Sequence, residues 1–286
     1  MKYGICPISV VSIRTAPAHK AEQLSQLLFG ETFEVLETKG RQWCKVKCSW
    51  DDVEGWVAAN QINYITQAAF EAHYNNVACS LELFQAVMGE HEFIGIPLGA
   101  QLPEFDGMRL KMGGQNFTFS GQAVFQDEIE QPLIFLLKVA RRYINAPYLW
   151  GGRSPYGIDS DGLIQMIYKM AGMKLPRRAS EQVFCGENIY FIEQALPGDI
   201  AFFENKNNRV THTGLVLNDN RIMHAYGKVR IDKIDHYGIY NNDESRYTHT
   251  LRVVKRMLDH NEDLSSTQAW LFQNFEEPAR TLSMQP

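Results

Sequence analysis

Near the middle of the chain, Asp159-Ser160-Asp161-Gly162 places two carboxylates and a hydroxyl directly ahead of an apolar run. Leu163, Ile164, Ile167, Met170 and Ala171 in that run are spaced as one face of a helix, and Gly172 is placed to stop it. The residues ahead of the run therefore sit at a helix N-terminus, where unpaired backbone N–H groups and the positive end of the helix dipole favour negative charge. A reactive nucleophile benefits from that position. So does an ordinary N-cap, because Asp and Ser are preferred caps. Further along, His212 and His224 fall on two consecutive strand-like runs, Val210 to Leu217 and Arg221 to Tyr226. A histidine on an apolar strand serves in a core as readily as in a reaction, so position alone leaves both uses open. Tyr148 and Trp150, just ahead of the helix, read singly as core aromatics.

Cation sites find no support in the spacing. Aligning Gly162 with the glycine of a calcium loop puts Gly157 at the first ligand position and Tyr168 at the last, where a bidentate Glu is required. No histidine or cysteine spacing suggests zinc, and no cofactor is expected. The cysteines are Cys6, Cys44, Cys48, Cys79 and Cys185, an odd number that fits free thiols. Cys44 and Cys48 alternate with polar residues and should face one side of a strand with Val46 as small buried groups. Cys185 lies beyond the nucleophile helix in no recognisable motif.

These residues need a scaffold, and the chain divides into four stretches. Residues 1–62 read as a small β domain with short strand-like runs at Ile8 to Val11, Thr32 to Leu36, Trp43 to Lys47 and Gly55 to Val57. Residues 63–125 open with a helical piece, Ala68 to Tyr74. Strand-like runs at Gln101-Leu102, Arg109 to Met112, Phe117 to Phe119 and Ala123 to Phe125 follow, consistent with a second, diverged copy of the first module. Residues 126–256 carry a helix from Glu130 to Ile144, the helix after Asp159, and strands at Ile200 to Phe203, at the two histidine runs and at Leu251 to Lys255, an α+β pattern. Residues 257–286 form a polar tail containing Ala269-Trp270-Leu271-Phe272, to which no chemistry is assigned.

Composition narrows the function. The 286 residues carry a formal net charge of -5 with 45% hydrophobic and 21% charged residues, ordinary for a globular protein and unsuited to nucleic acid as the main partner. No apolar run approaches the ~20 residues of a membrane-spanning helix. Met1 to Cys6 lacks the apolar core and cleavage site of a signal peptide. The expectation is a cytoplasmic protein, or a periplasmic or cell-envelope one if a leader has been removed.

Six short signatures occur in order: Tyr148-x-Trp150-Gly151-Gly152; Gly157-x-Asp159, one residue, then Gly162-Leu163; Leu175-Pro176-Arg177; Leu196-Pro197-Gly198-Asp199; His212-x-Gly214; and Ile222-x-His224-Ala225. Across residues 126–256 the chain resembles the NlpC/P60 family of cysteine peptidases. Arg14 to Pro17, Leu28 to Glu31, Trp43 and Glu54 to Val57 resemble a bacterial SH3-like domain. The resemblance implies a papain-like catalytic domain behind two small SH3-like β-barrels. It also implies hydrolysis of the bond between γ-D-glutamate and an L-diamino acid in murein stem peptides with a free N-terminal L-alanine. Position 160 would then hold the nucleophile. His212 would be base and then acid, His224 would orient it, and Tyr148 would donate to the oxyanion with a backbone N–H. Asp159 would help bind the substrate amine, Trp150 would wall the pocket, and Ser180 would line the amine pocket or cap a helix. Arg177 and Arg178 are expected on a solvated face.

The chain departs from the family where it matters most. The family has Cys, usually followed by Ser, where this chain has Ser160 and Asp161. A serine hydroxyl gives up its proton far less readily than a thiol of pKa about 8.5. A carboxylate at Asp161 beside Asp159 disfavours an anionic nucleophile, although it would strengthen capture of a substrate ammonium. Three readings of Ser160 stand: a change made to trap substrate, a natural relative that binds murein peptides without cutting, or a working serine nucleophile. The number of subunits is not readable from the sequence.

Overall fold

A computed structural model describes residues 2–74 and 77–258; the tail stretch Ala269-Trp270-Leu271-Phe272 lies outside them. The first β unit is one seven-stranded antiparallel sheet. Along the sheet run Gln23–Leu28, Val10–Arg14, Glu54–Ala58, Trp43–Cys48, Thr32–Lys39, Lys2–Ile5 and Asn63–Ile65. Alternation builds it: Cys44, Val46 and Cys48 are buried with Val11, Ile13, Leu27 and Phe33, while Lys45 and Lys47 pair outside with Glu54 and Asp52. The expected first strand begins two residues later than its apolar run, at Val10. Gln23–Leu28 has no alternating signature and is a strand because Leu27 and Leu28 bury against different cores.

Residues 78–125 form a second small β unit of two sheets around Val87, Ile96, Leu110, Phe117 and Phe119. Phe29 of the first unit belongs to this core, so the two units share packing. The strands Phe84–Met88 and Phe93–Pro97 escape the sequence pattern because their apolar residues face both ways, with Phe84 and Phe93 exposed.

The third unit packs helices Pro132–Arg142 and Ser160–Met170 on a sheet. Its strands Arg246–Arg256, Ile200–Glu204, Val210–Leu217, Arg221–Tyr226, Lys228–Asp235 and Gly238–Asn241 pair in that order. The last pairs back on the first and closes the ring. Closure leaves these strands no free edge. Period-two alternation divides the sheet between two cores. Ala201, Phe203, Val216, Ile222 and Ile239 fill the ring, while Ile200, Phe202, Leu215 and Met223 meet Leu163, Ile164 and Ile167 of the helix. Lys228–Asp235 and Gly238–Asn241 are additions to the strands read from sequence. No helix among the described residues is long and apolar enough to cross a membrane.

The helix Ser160–Met170 is buried on every side, beyond its one apolar face, because the first β unit covers its polar residues. Glu31 of that unit reaches Lys169 Nζ at 2.5 Å and Arg153 Nη1 at 3.0 Å, with all three side chains at most 4% exposed. Arg153 also donates to the Gln26 carbonyl at 2.7 Å, and Lys169 lies 5.3 Å from the Trp50 ring centroid. Burial alone would raise the Glu31 carboxyl, but Arg153 and Lys169 overrule it and hold it at about 2. The stabilisation from this group is complete above its ordinary value of 4.5 and is lost as pH falls toward about 2. Glu31→Gln strands two buried cations, so a loss of about 3–5 kcal/mol is expected in urea unfolding at pH 7. The difference from the unchanged chain should shrink below pH 4.

Candidate active site

The site is assembled where the start of the central helix meets two strands of the closed sheet. Asp159 is the N-cap, with Oδ1 accepting from Gly162 N at 2.7 Å. Its Oδ2 accepts from Gly151 N and from Arg177 Nη2, each at 2.8 Å. The loop comes so close that a Cβ on Gly162 would lie 2.2 Å from the Gly152 carbonyl oxygen, which fixes that position as glycine. Asp159 lines the pocket, and three donors of the scaffold already meet the carboxylate that the resemblance assigns to the substrate amine. Arg177 is no solvated residue either. It is 4% exposed and also bonds Ser25 and the Gly152 carbonyl. Arg178 is exposed as expected.

Ser160 occupies the first helical position and is 5% exposed. Its hydroxyl donates to Asp161 Oδ1 at 2.8 Å, and Asp161 Oδ2 accepts from Ala179 N at 2.9 Å. Burial and the neighbouring Asp159 both push the Asp161 carboxyl up. A cation brought to this spot would relieve that cost.

The opposite wall is a relay of side chains. His212 Nε2 lies 2.8 Å from His224 Nδ1, and His224 Nε2 lies 3.0 Å from Asp232 Oδ2. Asp232 is in turn held by Arg230 Nη2 at 2.8 Å. Strand register sets this chain up: Gly214 pairs with His224, His224 with Arg230, and Asp232 stands two residues beyond on the same face. With Asp232 as acceptor, His224 carries its proton on Nε2 and offers the Nδ1 lone pair to an N–H on His212 Nε2. That leaves His212 Nδ1 as the free basic nitrogen. Burial, then His249 and His224, drive His212 well below its ordinary 6.5, and burial lowers His224 despite Asp232. Both are neutral at pH 7, as a base must be.

Tyr148, Trp150, Ser160, Asp161 and His212 line one narrow pocket of about 60 Å³. Burial, then the two carboxylates, raise the Tyr148 phenol, so it stays a donor. Trp150 is 54% exposed, and its indole N–H donates to Glu22 of the first β unit at 2.8 Å. Leu24 of that unit lines the same pocket. Ser180 is not brought into it. It sits exposed in the short helix Ala179–Gln182, whose N-cap is Arg178, and lines the adjoining groove with Phe184 and Arg209. Cys185 is half-buried against the main core, away from the pocket.

Three contributors went unread in the sequence. Asp232 and Arg230 lie on the strand Lys228–Asp235, whose apolar alternation at Val229 and Ile231 was an available signal. The third, His249, stacks on His212 with ring centroids 3.9 Å apart at 24°. His212, His224 and His249 bring one nitrogen each within 4.8 Å of the others. The bond between His212 and His224 engages two of these with each other. The near-parallel rings of His212 and His249 keep their in-plane lone pairs from meeting at one ion about 2 Å away. Removing the carboxylate in Asp232→Asn should lower the His224 titration by about one unit or more and mix its tautomers, read from ring ¹⁵N shifts. Because folded His212 and His224 resist protonation, stability should be full above 6.5 and fall as pH drops below it, more steeply in Asp232→Asn.

Residues 145–252 match the NlpC/P60 family, and residues 13–62 match a family described as the bacterial dipeptidyl-peptidase Sh3 domain. A gamma-D-glutamyl-L-lysine dipeptidyl-peptidase of Bacillus cereus is 24% identical over 230 residues, covering 73% of this chain and 68% of that protein. The Bacillus subtilis protein of the same name is 27% identical over 114 residues, 39% of this chain and 38% of that one. The bifunctional muramidase/DL-endopeptidase CwlT of Bacillus subtilis is 34% identical over 93 residues, 32% of this chain. These last two matches span 38% and 28% of the relatives' own lengths. A crystal structure of an NlpC/P60 family protein from Bacillus cereus superposes with a TM-score of 0.76 at 18% identity, covering 90% of this chain and 99% of that one. Residues 145–252 are an NlpC/P60 domain, carried behind a bacterial SH3 domain of the dipeptidyl-peptidase type at residues 13–62.

Proposed function

We propose that this chain acts on murein stem peptides that begin with free L-alanine. The bond addressed would be the one between γ-D-glutamate and the following L-diamino acid. The observation that carries this reading is the intact relay His212–His224–Asp232 facing a helix start that holds a hydroxyl. In the reaction, neutral His212 takes the Ser160 proton as the oxygen attacks the γ-carbonyl. The oxyanion meets the Tyr148 hydroxyl and the backbone N–H groups of the helix start, and His212 returns the proton to the departing amine. Water then cleaves the ester. The narrow pocket, lined by Leu24 and by the Trp150 ring that Glu22 holds, suits a chain terminus, and Asp161 would meet its ammonium. That geometry agrees with relatives named dipeptidyl-peptidases.

A second reading, a murein-peptide-binding protein that does not cut, is favoured by one contact: the Ser160 hydroxyl is committed to Asp161 and makes no hydrogen bond to His212. Serine lacks the ready ionisation of a thiol, and Asp161 opposes what ionisation remains. The chain as it stands therefore holds such peptides more effectively than it turns them over. With L-Ala-γ-D-Glu-L-diamino acid as substrate, Ser160→Cys should raise turnover at least about 100-fold, and Ser160→Cys with Asp161→Ser should raise it further. Tight binding with no turnover in any version makes the protein a binder. Acetylating the peptide's N-terminus should abolish binding; unchanged affinity removes the free-amine requirement.

A further inference from the structure

His249 is absent from the motifs that identify the domain, yet the sheet is bent to deliver it. Thr248 is an extra residue between the pairs Ile239–His249 and Tyr240–Tyr247, and Arg252 is an extra residue between Phe203–Leu251 and Phe202–Val253. A bulge on each side re-aims the side chain between them, as bulges beside active sites do. Gly238, at φ +139°, makes room on the neighbouring strand: a Cβ there would lie 1.8 Å from the His249 carbonyl oxygen. A third bulge places Thr211 as the extra residue beside His212 itself. Three departures from regular pairing thus flank the two stacked imidazoles.

The environment of His249 is equally specific. Its Nδ1 lies 2.9 Å from Thr248 Oγ1, which holds the ring by one edge. The rings of Phe203, His224 and Tyr226 stand nearly perpendicular to it at 6.0, 5.6 and 5.3 Å. Its face covers His212, leaving the relay nitrogen Nε2 to His224 and the other nitrogen as the basic one. We propose that His249 is a positioning residue for the base: an aromatic plate that fixes the His212 ring angle and keeps water off its covered face. Stacking of this kind contributes to orientation beyond simple area burial. This inference rests on the assignment of His212 as the base of the proposed reaction.

The charged and titratable groups facing the pair are His224 and Tyr226 on the Arg221–Tyr226 strand, Asp232 and Arg230 on the Lys228–Asp235 strand, Asp161 at the helix start, and Glu244 in the turn before the Arg246–Arg256 strand. None of them changes when His249 is replaced. The test compares His249→Ala and His249→Phe in the unchanged chain, titrating His212 by ring ¹⁵N and ¹³C shifts, and then repeats both in Ser160→Cys for kcat against pH. Expected is a rise in the His212 titration of at least one pH unit in His249→Ala, with the acid limb of kcat moving by the same amount and kcat falling at least tenfold at pH 7. His249→Phe keeps the plate and should restore both. An unmoved His212 titration in His249→Ala, or a Phe variant no better than Ala, overturns the proposal. If the titration behaves as stated while Ser160→Cys never cleaves, the positioning role stands and the proposed reaction is what fails.

Discussion

The structure hangs on one buried carboxylate. Glu31 lies in the first β unit, while Arg153 and Lys169, which hold it, come from the loop before the central helix and from its last turn. Because none of the three can be solvated where it sits, each fixes the others, and the first unit is locked onto the helix whose other end carries Ser160. Arg153 and Arg177 also tie the loop Gly151–Arg153 to that unit through Gln26 and Ser25. The pocket wall formed by Trp150 and Leu24 inherits its position from these contacts. The N-terminal module is therefore part of the site.

At the other end of that helix, two demands compete for the same few atoms. Folding requires an N-cap, and Asp159 supplies it while also receiving Gly151 and Arg177. Chemistry requires a hydroxyl free to meet His212, and Asp161 draws it away. The relay on the sheet shows no such conflict. Each ring nitrogen between His212 Nε2 and Asp232 has one partner, and the strands carrying them belong to a closed ring that cannot slip in register.

Much of this was legible beforehand, for physical reasons. The helix from Ser160 to Met170 announces itself by apolar spacing and a stop at Gly172. The two histidine strands do so by apolar runs, and the pairing Cys44–Val46–Cys48 by alternation. What stayed hidden depended on partners far away in sequence. Arg177 looked like a surface residue because nothing nearby reveals that Asp159 and Ser25 will bury it. His249 stood in a polar stretch whose bulges no periodicity records. Ser180 lines the neighbouring groove, because Arg178 caps the short helix Ala179–Gln182 and Ser180 falls inside it.

The division of labour between helix and ring also shapes how such a protein can change. His212, His224 and His249, the proposed base and the two rings that hold it, are all encoded on strands, while residues 160 and 161 belong to the helix. The proposed attacking group and the carboxylate beside it occupy the first two positions of a helix whose cap lies outside them, at Asp159. A lineage can therefore alter what attacks the substrate without disturbing what prepares the attack. Under the proposed function, catalyst and receptor are neighbouring states of one scaffold, separated by two residues.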